Sequence, residues 1–162
     1  MYTVEFLENL KQAETLLQFE RFDQEDAYRV GTMLRQAGLA GVQPVAVRVV
    51  LDGLTVYQSF PEGTTAENNW WMDRKYATVM KSGTSSLRAL VERQLFGAKE
   101  EWQNDEVTHA FCGGGFPIVV AGQFCGVAIV SGLPHLEDHA MLTRVLGAYL
   151  GRSVPELPEV EE

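Results

Sequence analysis

The sequence predicts a single α/β domain in which helices cover both faces of a mainly antiparallel sheet, a three-layer α/β/α arrangement. Apolar residues recur at helical spacing in five stretches, and β-branched or apolar runs joined by turn residues imply hairpin-linked strands. Helical stretches also flank those strands on either side in the chain, so both sheet faces can be covered.

The first helix is predicted over Val4 to Leu17, where Phe6, Leu7, Leu10 and Ala13 share a face and Thr3 serves as cap. Leu17 and Phe19 then alternate with Gln18 and Glu20, which predicts a half-buried strand within Leu16 to Phe22. Asp23, with Asp26 three residues on, resembles a capping box opening a second helix that stops at Gly38. Val45 to Leu51 and Leu54 to Phe60 flank Asp52-Gly53, a pair suited to a two-residue type I′ hairpin turn. Thr64 or Thr65 caps a third helix carrying Trp70, Trp71, Met72, Tyr76, Val79 and Met80 to Ser82-Gly83. Thr84 or Ser85 caps a fourth through Leu87, Leu90, Val91 and Leu95, and Gly97 to Glu106 is a polar connection. Strand chemistry returns in Thr108 to Cys112, Ile118 to Ala121 and Phe124 to Ser131, with the last pair joined at Ala121-Gly122-Gln123. Pro134 fits the first turn of a closing helix whose apolar side is Leu136, Leu142, Val145, Leu146 and Tyr149.

With 162 residues the chain supports one core, read as a domain over 1–152 followed by an acidic, disordered tail over 153–162. A net charge of -9 disfavours a nucleic-acid partner, because phosphate binding depends on clustered lysine and arginine. No apolar run approaches the roughly 20 residues of a membrane span, and Met1 to Leu10 is acidic where a signal peptide is basic. A cytoplasmic protein with reduced Cys112 and Cys125 is expected.

Chemistry concentrates between His109 and His139. His135 and His139 stand four apart, a spacing that puts both imidazoles on one helix face as in helical zinc sites. His109 or Cys112 would have to supply a third ligand. Equally, Glu137 and Asp138 suit a helix N-terminus while His139 makes a buried hydrogen bond. Gly113, Gly114 and Gly115 can present main-chain N–H groups to an anion or let backbones pack closely. No Gly-x-Gly-x-x-Gly or Walker lysine is present, so neither a dinucleotide nor a nucleoside triphosphate site is indicated. Arg74 and Lys75, with Ser85 and Ser86 opening the next helix, are candidates for an anion. Trp70 and Trp71 point about 100° apart on a helix, so one of them is expected in a subunit interface or a pocket.

The segments Gly-Gly-Gly-Phe-Pro-Ile at 113–118, Val-Ser-Gly-Leu-Pro-His at 130–135 and Asp138-His139 resemble the GlcG/HbpS-like family of haem-degrading-domain proteins, in its uncharacterised branch. Leu17-Gln18-Phe19 to Asp23, Trp71 to Lys75 and Ser85-Ser86 extend the likeness over nearly the whole chain except the tail. The resemblance implies a profilin-like fold with a five-stranded antiparallel sheet and homo-oligomers built from dimers. It also names haem or another tetrapyrrole as the candidate ligand. A histidine often precedes the three glycines in that pattern, whereas Cys112 stands here.

Three functions are compatible with these residues. The first is an oligomeric, non-enzymatic small-molecule-binding protein using Gly113, Gly114, Gly115, Phe116, Arg74, Trp71, Asp138 and His139. The second is a metal-assisted enzyme using His135, His139 and a third ligand for zinc, with Glu137 as general base. The third is an assembly scaffold without a ligand.

Overall fold

The computed structural model describes residues 1–160. Helix α1 spans Val4–Leu16 and α2 Gln24–Leu39; strands β1 (Ala46–Leu51) and β2 (Leu54–Ser59) follow. Helices α3 (Ala66–Ser82) and α4 (Ser86–Phe96) lead through a short 3-10 turn, Glu101–Asn104, to β3 (Gly115–Val120), β4 (Gln123–Ser131) and α5 (His135–Leu150). All neighbours in the sheet order β2-β1-β4-β3 are antiparallel.

The sheet divides the core. Val47, Val49 and Leu51 of β1 and Ala128 and Val130 of β4 face α2 and α5, where they meet Val30, Leu34, Leu142 and Leu146. Ala46, Val50, Val127 and Ile129 face α3, against Met72 and Val79. Because β1 and most of β4 are buried on both sides, they appear in the sequence as continuous apolar runs and not as alternating ones. Arg48 is the polar exception on β1: its guanidinium bonds Gln58 of β2 and reaches α3 at Asp73 and Asn69, 2.6 Å each. Helix α1 lies outside this sandwich, with Phe6, Leu7 and Leu10 on Leu87 and Val91 of α4.

Local signals act where the sequence places them. Asp23 and Asp26 form the reciprocal capping box of α2, Thr65 caps α3 and Ser85 caps α4. Asp52 (φ 49°) and Gly53 (φ 77°) both take positive φ, the requirement of a type I′ turn. Helix α5 begins at His135, with Pro134 just before its first turn.

The sheet has four strands among the described residues, not five. The segment expected as a strand over Leu16 to Phe22 contributes one parallel bridge, Phe19 to Val120. It is caught between the end of α1 and the cap of α2, and the carbonyls of Leu16 and Gln18 accept from Arg152 Nη1 at 2.7 and 2.9 Å instead of extending a ladder. Thr108 to Cys112 likewise forms no strand. Its main chain is held by α3: Ala110 N–H donates to the Arg74 carbonyl, and Thr78 Oγ1 donates to the Ala110 carbonyl at 2.8 Å.

The stretch over 153–160, expected to be a disordered tail, has no regular secondary structure but lies against the body. Leu157 and Val160 pack on the α1/α4 cluster, and Asn9 Nδ2 donates to the Glu156 carbonyl at 3.0 Å. Glu161 and Glu162 fall outside the described residues.

Glu14 on α1 is buried at the contact with the start of α4. Its Oε1 accepts from Ser85 N–H and lies 3.6 Å from Arg88, yet burial outweighs that cation and raises the carboxyl to about 7. The folded state thus holds a proton that the unfolded chain releases near its ordinary pKa of 4.5, and stability falls as pH rises from that value to about 7. Glu14→Gln should remove this slope and stabilise the protein by up to about 3 kcal/mol at pH 8, with little effect at pH 4. Urea denaturation across this range measures it; an unchanged pH profile in the variant would contradict the assignment.

Candidate functional site

A cleft of about 440 Å³ opens where the first half of α3, the end of β4 and the first turn of α5 meet. Trp71 and Lys75, one helical turn apart, project from α3; Ser131, Gly132 and Leu133 close the end of β4; His135 and Asp138 come from α5, and Cys112 from the loop before the glycines. The α3 side chains reach this place because Met72 and Val79, at core spacing on either side of Lys75, seat that helix face on the sheet.

Lys75 is 3% exposed and Asp138 1%. Lys75 Nζ donates to Asp138 Oδ2 at 3.1 Å and to the Val130 carbonyl at 2.9 Å, while Leu133 N–H donates to Asp138 Oδ1 at 3.1 Å. Burial pushes the Asp138 carboxyl above its ordinary value, with Lys75 and the hydrogen bonds opposing. Burial likewise raises the Cys112 thiol, which favours the protonated form over a thiolate, again with Lys75 opposing.

The three glycines are spacers for this arrangement. A Cβ on Gly113 would strike the His135 carbonyl, and one on Gly114 (φ +126°) would strike the Lys75 ammonium. Gly115 N–H donates to Ser86 Oγ at 2.9 Å. Their polar groups therefore serve the fold, and Ser86, expected at an anion site, is buried against this backbone.

Gly113 N–H also sets the state of His135. It donates to Nδ1 at 3.1 Å, so in the neutral ring Nδ1 keeps its lone pair and the proton sits on Nε2. Burial and the nearby Lys75 charge both lower the pKa of this imidazole. At neutral pH His135 is a hydrogen-bond donor at the cleft wall.

Of the residues singled out from the sequence, the structure brings Trp71, Lys75, Cys112, His135 and Asp138 to the cleft, with Gly113 and Gly114 packed behind it. Arg74 does not join them. Its guanidinium lies over the Trp70 and Trp71 rings, 4.2 and 4.6 Å from their centroids, and donates to the carbonyls of Val107 and Glu106. Phe116 is buried in the α2/α5 core, with its ring centroid 5.9 Å from that of His139. His139 does not line the cleft, and His109 sits against Asp105 and Trp102. Among the described residues no three His, Cys, Asp or Glu side chains group as a metal site.

Thr65, Glu67, Asn68, Ser131, Gly132 and Leu133 complete the cleft without having been chosen as ligand contacts from the sequence. Lys75 carried a usable signal: a lysine on the same helical stripe as Met72 and Val79 must find a buried anionic partner.

A sequence-family comparison then places the chain. The model for "Haem degrading protein HbpS-like" matches residues 22–146. The chain belongs to the HbpS-like family. A UPF0303 protein of Yersinia enterocolitica is 36% identical over 150 residues, covering 90% of this chain and 88% of that one. Among solved structures, Ybr137w superposes with a TM-score of 0.81 at 27% identity, over 90% of this chain and 88% of its own. The PduOC–haem complex shares the HbpS-like fold at a TM-score of 0.56 and 15% identity, over 97% and 99% of the two chains.

Removing one partner of the Lys75–Asp138 pair strands the other charge in the interior. Lys75→Met should cost about 3–5 kcal/mol at pH 7, and adding Asp138→Asn should recover more than half of it. Chemical denaturation of the single and double variants measures both. The Lys75→Met cost should also shrink as pH falls, because the uncompensated carboxylate then protonates. A single-variant cost below about 1 kcal/mol would place this pair with weakly coupled surface bridges.

Proposed function

We propose that this HbpS-like protein binds a small planar organic molecule in the Trp71 cleft, without catalysing its conversion. The observation that carries this reading is the His135 ring, held neutral beside Trp71 with its Nε2–H as a donor. Trp71 supplies a flat apolar face, and His135 and the buried Lys75 favour hydrogen-bond acceptors such as carbonyl or carboxylate oxygens.

Haem is the ligand suggested by the family and by the PduOC complex. An iron porphyrin requires an axial lone pair, usually from histidine, thiolate, methionine or tyrosinate. His135 has its Nδ1 lone pair occupied by Gly113 N–H and a proton on Nε2, and Cys112 is held as a thiol. These residues do not fit axial ligation of haem in this cleft. The zinc reading loses support in the same way, since His135 is committed to Gly113 and His139 lies off the cleft.

Titration with 2-naphthoate, a planar carboxylate, should quench tryptophan fluorescence saturably. Trp71→Ala and His135→Phe should each weaken that binding about tenfold, equivalent to one charge-assisted hydrogen bond or stacking contact. Haemin added to the same protein should give no saturable Soret shift that depends on His135. Binding of haemin abolished by His135→Ala, or naphthoate affinity indifferent to both variants, would overturn the reading.

Self-association into dimers and larger homo-oligomers belongs to the same proposal. Trp70, 49% exposed beside the cleft, is the aromatic surface that supports it. Trp70→Lys should lower the mass measured by light scattering; an unchanged mass would exclude this tryptophan from the interface.

A further inference from the structure

The imidazole of His135, at the wall of the Trp71 cleft, is held by a hydrogen bond that a proton abolishes. Gly113 N–H donates to its Nδ1 at 3.1 Å, so this nitrogen can serve as acceptor only while the ring is neutral. In the imidazolium both ring nitrogens carry a proton, and Nδ1–H then faces a second N–H across the same short distance. One hydrogen bond is lost and two donors oppose each other.

The backbone side of this contact has little room to yield. A Cβ on Gly113 would collide with the His135 carbonyl and lie 3.0 Å from His139 Cβ, so the main chain there is already seated against α5. Gly114, at φ +126°, passes against Lys75, and Gly115 N–H is engaged by Ser86 Oγ at 2.9 Å. The half-buried imidazole, with the cleft open beside it, is the freer partner. Turning the ring over about Cβ–Cγ puts a carbon against Gly113 N–H and carries Nε2–H away from the place it holds in the neutral state.

We infer that protonation of His135 releases the Gly113 clamp and lowers the affinity of the Trp71 cleft, so that the site binds its ligand near neutral pH and lets it go in acid. This rests on the reading of the cleft as a binding site for a planar, acceptor-bearing molecule. The charged and titratable groups around the ring are Lys75 and Glu67 on α3, Cys112 in the loop before β3, and Asp138 and His139 on α5. Burial disfavours the charged ring and Lys75 opposes a second cation, so His135 takes its proton below the ordinary histidine value of 6.5. Asp138 is already paired with Lys75 at 3.1 Å, and burial raises the Cys112 thiol and keeps it protonated. His139, brought down to about 4 by burial, is neutral above that pH, and Glu67 is exposed and screened by solvent.

The test follows the isotope-labelled full chain by NMR from about pH 8 to about pH 5, the window in which histidine charge changes. The His135 ring resonances should titrate with a midpoint below 6.5, and the Gly113 amide resonance should move with the same midpoint. The Leu133 amide, which donates to Asp138 Oδ1, reports any titration of that carboxyl separately. Binding of 2-naphthamide, which is uncharged throughout, should weaken about tenfold on the acid side of the midpoint, the effect of one lost hydrogen bond. His135→Asn keeps an acceptor at the δ position without a titrating ring, so its Gly113 amide should stay fixed across the range. Should that variant fail to fold, the agreement of the two wild-type midpoints decides. A Gly113 amide that ignores the His135 titration overturns the inference, as does a His135 ring still neutral at about pH 5. Naphthamide affinity that is the same on both sides of the midpoint overturns it as well. Absence of naphthamide binding at about pH 8 instead overturns the reading of the cleft, while the two midpoints still judge the clamp.

Discussion

The ion pair of Lys75 with Asp138 joins the two helical layers past the end of the sheet. Helix α3 packs on one sheet face and α5 on the other, and at this end of β4 a side chain from each meets through 3.1 Å of buried contact. Two desolvated charges are tolerable only when their remaining hydrogen-bonding capacity is used, and here the Val130 carbonyl and Leu133 N–H take up much of it. The contact fixes where α5 starts, and with it the position of His135. It also explains three consecutive glycines: a chain threading between an ammonium group and a helix carbonyl has no room for side chains.

Much of the fold was legible because it rests on local chemistry. The Asp23 box, the Thr65 and Ser85 caps and the Asp52-Gly53 turn are short-range signals whose outcome depends on a few neighbouring atoms. The two missing strands failed for a non-local reason. Leu16 to Phe22 alternates as a strand should, but it pairs with β3 at Phe19 while its Leu16 and Gln18 carbonyls accept from Arg152, more than a hundred residues away, and the Ala110 main chain is bonded by Arg74 and Thr78. Period-two patterning reports burial, and whether a ladder forms depends on which partner reaches the main chain first.

The site was half legible for the same reason. Trp71, Asp138 and the glycines could be singled out one by one, but the pairing of residues 75 and 138 belongs to the tertiary structure. Arg74 shows the converse. Its planar cation suits an anion, yet two indole faces and two main-chain carbonyls engage it first. Across the site burial is the largest cause of each shift: Cys112 and Asp138 rise against the pull of Lys75, and His135 falls with Lys75 adding to the effect.

The histidine pair makes the same point most sharply. Positions 135 and 139 satisfy the helical spacing of a zinc site, and one strip of chain runs close to both residues. That strip is Gly113. Its N–H occupies His135 Nδ1, and its Cα, lacking a side chain, lies close to both the His135 carbonyl and the His139 Cβ. His135 is committed to that backbone amide at the cleft, while the buried His139 ring lies beside Phe116 in the core. An i, i+4 pair of histidines fixes only the direction of two side chains. What each ring meets decides the chemistry, and in this protein His135 meets a glycine amide and His139 a phenylalanine ring.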